Sequence, residues 1–251
     1  MNLKLAISLS VALALALPGA ALAHVTNERT RYSDIADSDA KLDIMLVSSL
    51  GILPEAPAFE PEAPLTKAEL AAWVASSEGL AEGHGHETAD VADLAKAAFD
   101  ASKVESIEGA ADFADVAAAF FAGQVQAPAD DRAPTKAEAV QFIVANLKTP
   151  INGKTLLESK GFAEGPVGVV TDLKSETTTS GGTAYTMTIG DLTAIAHAHI
   201  RVANGQTDLK TWAGRSVQRS LIREIDGKTY WTYLEADAPD ANASAEEAHR
   251  H

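Results

Sequence analysis

Cysteine is missing from all 251 residues, which excludes disulfide scaffolds, thiolate metal sites, iron–sulfur clusters and cysteine nucleophiles. Basic residues are scarce: 20 Lys and Arg stand against 35 Asp and Glu, a formal charge of −15. So acidic a chain does not wrap DNA or RNA, whose phosphates require a basic surface. Long apolar runs are absent after the first 17 residues, and no later stretch approaches the roughly 20 apolar residues that a membrane span requires. Much of the 46% apolar content is alanine, so the core is expected to be thin for the length. Enzyme signatures are missing too. There is no Gly-x-Ser-x-Gly elbow, no His-Glu-x-x-His and no glycine-rich phosphate loop after a strand, so a non-enzymatic protein is expected.

What is present begins with an address. Lys4, the apolar run Leu5 to Leu17, the break at Pro18-Gly19 and the small residues around Ala21-Leu22-Ala23 have the order of an export signal over residues 1–23. An uncleaved anchor is the other reading of the same run. Cleavage would leave a chain starting at His24, exported to the periplasm or the cell surface.

Charge then divides the remainder. Residues 24–150 carry 22 acids and 9 bases, residues 151–235 carry 9 of each, and residues 236–251 form a low-complexity acidic and histidine-bearing tail too polar to order itself. Apolar spacing is helical before Pro150 and alternates with period two after Gly161. The expected fold class is therefore α+β in two domains, helical over 24–150 and a small β-barrel over 151–235, followed by a disordered tail.

The helical part repeats itself. Asp34-Ile35-Ala36-Asp37 returns as Asp90-Val91-Ala92-Asp93 and, shorter, as Asp115-Val116-Ala117, each aspartate placed to cap a helix. Pro64-Leu65-Thr66-Lys67-Ala68-Glu69 returns as Pro134-Thr135-Lys136-Ala137-Glu138. Threonine with glutamate three residues on is a capping box, so Thr66 and Thr135 should each open a helix, running through Leu70, Trp73 and Val74 and through Val140, Ile143 and Val144.

Arg31-Tyr32-Ser33-Asp34-Ile35, Leu50-Gly51-Ile52, Phe59-Glu60-Pro61 and Leu65-Thr66-Lys67-Ala68-Glu69, taken in order, resemble an S-layer homology (SLH) repeat. Residues 32–80 match it well, and 88–148 match in pieces, as one stretched repeat or two degenerate ones. The resemblance implies helical repeats packed about a hub that bind anionic cell-wall polysaccharide, with Thr66, Lys67, Thr135 and Lys136 at the ligand. Family members commonly carry arginine where Lys67 and Lys136 stand. Lysine lacks the planar fork, so bidentate carboxylate recognition is lost there. The implied partner is a cell-wall or envelope polysaccharide or another envelope protein.

Five strands are expected in the β part: from Val167, Tyr185 to Ile189, Ile195 to Val202, Ser216 to Ile225, and Thr229 to Leu234. Asp226-Gly227 is a hairpin turn that sets Ile222 opposite Trp231, Ser220 opposite Tyr233, Arg223 opposite Tyr230 and Leu221 opposite Thr232. The expected object is a small antiparallel five-stranded barrel whose strand pattern resembles an oligonucleotide/oligosaccharide-binding (OB) barrel. Arg201, Arg219 and Arg223 on its later strands are candidate anion contacts.

Six of the seven histidines fall in His-x-His pairs: His84/His86, His197/His199 and His249/His251. Two imidazoles at i,i+2 of a strand point the same way and can share one ion, so His84, His86, His197 and His199 are candidate ligands for copper, zinc or nickel. His24, if it begins the exported chain, offers its amine and ring to copper. An exported metal-binding protein without any other cofactor is thus the alternative function. Arg201, on the same strand face as His197 and His199, favours an anion over a cation.

Overall fold

The structure is a computed structural model and describes residues 24–78, 108–129, 132–178 and 182–237. Expectations about residues 1–23, Asp90, His84, His86, His249 and His251 lie outside the described residues. None of the described helices is long and apolar enough to cross a membrane.

Helix α1 (Lys41–Ser49) has no side-chain cap, and Ile44 to Ser48 are all buried, so packing rather than local chemistry holds it. Helices α2 (Lys67–Ser77), α3 (Phe113–Phe121), α4 (Lys136–Asn146) and the single turn α5 (Leu156–Ser159) each open on a full capping box, at Thr66, Asp112, Thr135 and Thr155. Thr66 and Thr135 therefore occupy the same setting, as their shared block requires. The aspartates behave differently from the sequence reading. Asp112, not Asp115, caps α3, and Asp115 is the third-residue partner that reaches back. Asp34 caps no helix: its two carboxylate oxygens accept the N–H groups of Phe59 (2.8 Å) and Glu60 (2.7 Å), fastening a loop in which Glu60 has φ 58°.

The two repeated blocks lie side by side. Leu65 N–H donates to Pro134 O at 2.9 Å and Lys136 N–H to Ala63 O at 2.9 Å, an antiparallel bridge of Pro64 with Thr135. On the other side Thr66 bridges Ala110, just before α3. Three helix starts are thereby stitched together. Replacing Thr66 or Thr135 by alanine should cost about 1 kcal/mol each in urea denaturation, and serine should restore most of it.

Strands β1 (Phe162–Glu164), β2 (Gly168–Thr177), β3 (Thr183–Ile189), β4 (Leu192–Ala203), β5 (Ser216–Ile225) and β6 (Lys228–Ala236) follow. β2, β3 and β4 form a meander, β4 pairs with β6, β6 with β5, and β5 returns to β2 and to the short β1. This is a closed five-strand barrel with β1 as an added rung. One expectation needs correction: the barrel is mixed, not antiparallel, because β4 and β6 run parallel. Residues 204–215, with a 3₁₀ turn at Leu209–Trp212, carry the chain across so that β5 runs beside β6 and β6 returns alongside β4.

Asp226 (φ 51°) and Gly227 (φ 72°) make the two-residue turn, both in the left-handed region that a type I′ hairpin needs. Arg223 faces Tyr230 and Ile222 faces Trp231, as alternation predicts. The register then slips: Leu221 faces Tyr233 and Ser220 faces Leu234. Thr232 is the extra residue of a bulge, its Oγ1 donating to Leu221 O at 3.1 Å. The bulge inverts the alternation, so that Trp231 and Leu234 both enter the barrel interior while Tyr233 turns toward the helices.

Two large apolar clusters stand out among the described residues. One fills the barrel around Met187, Ile189, Ile200, Trp212, Trp231 and Leu234. The other joins Ile35, Ile44, Phe121, Val140 and Ile143 of the helical half to Phe162, Ala203, Leu221 and Tyr233 of the barrel wall. The first described residues also belong to the barrel side. Thr26 pairs in parallel with Arg201, with His24 N–H on Ala198 O at 2.5 Å and Val202 N–H on Thr26 O at 2.9 Å.

Candidate functional site

The capping boxes that open α2 and α4 place Lys67 and Lys136 at matching positions, yet their surroundings differ. Lys136 is 7% exposed, its Nζ bonded to Glu60 (2.9 Å) and Glu69 (2.5 Å). Burial alone would raise the Glu69 carboxyl. The hydrogen bonds from Lys136 and Thr66 outweigh that and hold it below its usual range. Burial likewise works to lower Lys136, and the two carboxylates raise it on balance. Lys67 lies 3.7 Å from Asp115 at the start of α3. Both hydroxyls, Thr66 and Thr135, accept from the third residue of their own helices. These four side chains close on carboxylates and backbone of the same chain.

The remaining candidates spread over the barrel. Arg219 lies 4.0 Å from Asp43 of α1 and 3.7 Å from the buried Glu235, whose other oxygen contacts are Tyr233 Oη (2.7 Å) and Gln218 Nε2 (2.6 Å). Arg223 stands 5.4 Å above the Phe162 ring.

His197 and His199 do lie together, ring centroids 6.0 Å apart, and His197 meets Tyr230 edge-on at 5.9 Å. Nδ1 of His197 accepts the backbone N–H of His199 at 3.1 Å, which places the ring proton on Nε2. Burial, then the charges of His199, Arg223 and Arg201, hold His197 below its usual value, favouring the neutral ring. Among the described residues no three His, Asp or Glu side chains gather as a metal site.

Arg201 lies on the face that alternation assigns it, opposite Ile200 and Val202 of the barrel interior, but it is buried there. It is 8% exposed, with residues 24–26 paired along the edge of β4 and Arg31, Tyr32 and Glu55 around its guanidinium. It borders a cavity of about 460 Å³ at the seam between the helical half and the barrel, lined among others by His24, Thr26, Arg29, Arg31 and Glu55. Arg31 is 9% exposed. Its Nε donates to Ser48 Oγ at 3.0 Å, its Nη2 to Pro54 O at 3.2 Å, and its guanidinium stacks 4.2 Å from the Tyr32 ring centroid. Sequence reasoning weighed Arg201 but passed over Arg29, Arg31 and Glu55. The signal available was two arginines at i,i+2 in a half with only nine bases.

No family model, curated protein or solved structure matches this chain.

Proposed function

We propose that this chain is a non-enzymatic exported cell-envelope protein. Its SLH-like helical half associates with envelope polysaccharide or a partner protein, and its OB-like barrel adds a second binding surface. The observation that supports this most directly is the equivalence of the two Thr-Lys-Ala-Glu blocks, each capping an eleven-residue helix and bridged to the other at Pro64 and Thr135. A copied helix start reused side by side is how repeat modules build a continuous surface. The closed barrel, with one parallel pair and a short helical turn between β4 and β5, is compatible with the OB-like reading.

The deciding experiment is retention of the purified protein on envelope polysaccharide at low ionic strength. Retention that weakens with salt is expected, and weakens further for Lys67→Ala, the more accessible of the two lysines. Passage of the wild-type protein straight through the matrix would end the envelope reading.

A further inference from the structure

The seam cavity holds more positive charge than its own carboxylate answers. In a chain with fifteen more acids than bases, Arg31 and Arg201 are both about nine-tenths buried and share one acid, Glu55. Glu55 lies 3.9 Å from Arg31 Nη2 and 3.6 Å from Arg201 Nη2, well beyond the roughly 2.7–2.9 Å of a charge-assisted hydrogen bond. Its side chain is 85% exposed, so water screens what attraction remains. Arg201 Nη1 donates to His199 O at 3.3 Å, but its buried Nε has no partner, and neither has the buried Oγ1 of Thr26 beside it. Orphaned buried donors of this kind are unfavourable, by about 1–3 kcal/mol each. Arg31, by contrast, is fixed in orientation by Ser48, Pro54 and Tyr32. Two guanidiniums are thus held ready beside a cavity with Arg29 and His24 also at its wall.

We infer that this cavity binds the oxyanion group, carboxylate or phosphate, of a small molecule between Arg31 and Arg201, in the place toward which Glu55 now points. Both groups accept from guanidinium N–H, and a second guanidinium supplies the remaining charge. A volume of about 460 Å³ exceeds a bare ion and falls within the range of small-molecule sites, so the rest of the ligand lies along Thr30, Ser33 and Arg29. The Ser33 hydroxyl at that wall suits a hydroxylated body such as an acidic sugar or a sugar phosphate. The inference is independent of the envelope reading: it concerns the seam, not the repeated helix starts.

Calorimetric titration of the purified protein with inorganic phosphate, glucose 6-phosphate and glucuronate, and with glucose as neutral control, tests it. At least one anion is expected to bind at millimolar concentration or tighter, with glucose silent. Phosphate arms alone would assign a phosphate ligand, glucuronate alone a carboxylate. Glu55→Gln, at an exposed position that should not disturb folding, should tighten anion binding at least three-fold by removing the internal competitor. Arg201→Gln should abolish binding, and if that variant fails to fold, Glu55→Gln decides alone. Silence of every anion, equal binding of glucose, or unchanged or weaker binding by Glu55→Gln would overturn the assignment.

Discussion

Lys136→Met should lower stability by about 3 kcal/mol, the low end of what it costs to break a buried ion pair by removing one partner. Lys67→Met, at the matching position of the other block, should change it by no more than about 0.5 kcal/mol. The contrast follows from what each ammonium touches. Removing Lys136 strands Glu69 in a half-buried place and frees Glu60, whereas Lys67 and Asp115 are partly exposed and 3.7 Å apart. The pH dependence carries a sign that can be checked. Glu69 is depressed, so its contribution is present above the ordinary glutamate value and is lost as pH falls through its lower folded value. Lys136 is raised, so its contribution is complete below the ordinary lysine value and is lost as pH rises through the folded one. The gap between wild type and Lys136→Met should therefore be widest between those limits and narrow toward both. Urea rather than guanidinium denaturation measures it, since salt screens the pair. A flat gap from strong acid to strong alkali would show that the ion pair is not its source.

Gly205→Ala should cost about 3 kcal/mol, the upper part of the range for forcing extra volume into a packed core. A methyl group on Gly205 would overlap the six-membered ring of Trp212. That indole has no room to yield: it is fully buried, and its Nε1 donates to Gln206 O at 2.9 Å. The carbonyl of Gly205 is itself held by Asn27 Nδ2 at 2.9 Å, so the backbone is restrained as well. Because the three atoms nearest the added methyl all belong to Trp212, Gly205→Ala combined with Trp212→Leu should be less destabilising than the sum of the single changes, a coupling read directly from a double-mutant cycle. Strict additivity would refute this account of the glycine.

Local chemistry was legible in the chain and long-range covering was not. Thr66 and Thr135 declared their helices because a capping box is complete within four residues. Asp226-Gly227 declared its hairpin and fixed the first two facing pairs for the same reason. Beyond those pairs the register depended on Thr232, and nothing about a threonine in a strand announces a bulge. Asp34 looked like a cap by its spacing, but its real partners, Phe59 and Glu60, lie some 25 residues away. The seam site was hidden in the same way. Period-two alternation put Arg201 on a polar face, which is correct for an isolated strand. The pairing of Thr26 along the edge of β4, and the arrival of Arg31 and Glu55 beside Arg201, are long-range events that alternation does not encode. The parallel β4–β6 pair likewise depends on where a connection crosses, which strand patterns do not encode.

The parallel rung formed by Thr26 and the Asn27–Gly205 bond, 178 positions apart, ties the opening of the folded body to its last third. Such distant pairing makes for slow assembly, because closing so large a loop must precede any gain from the contact. While the ribosome is still working through the helical half, the strand that receives these residues has not been made. The barrel wall can be completed only after β5 and β6, the last strands in the sequence, have emerged.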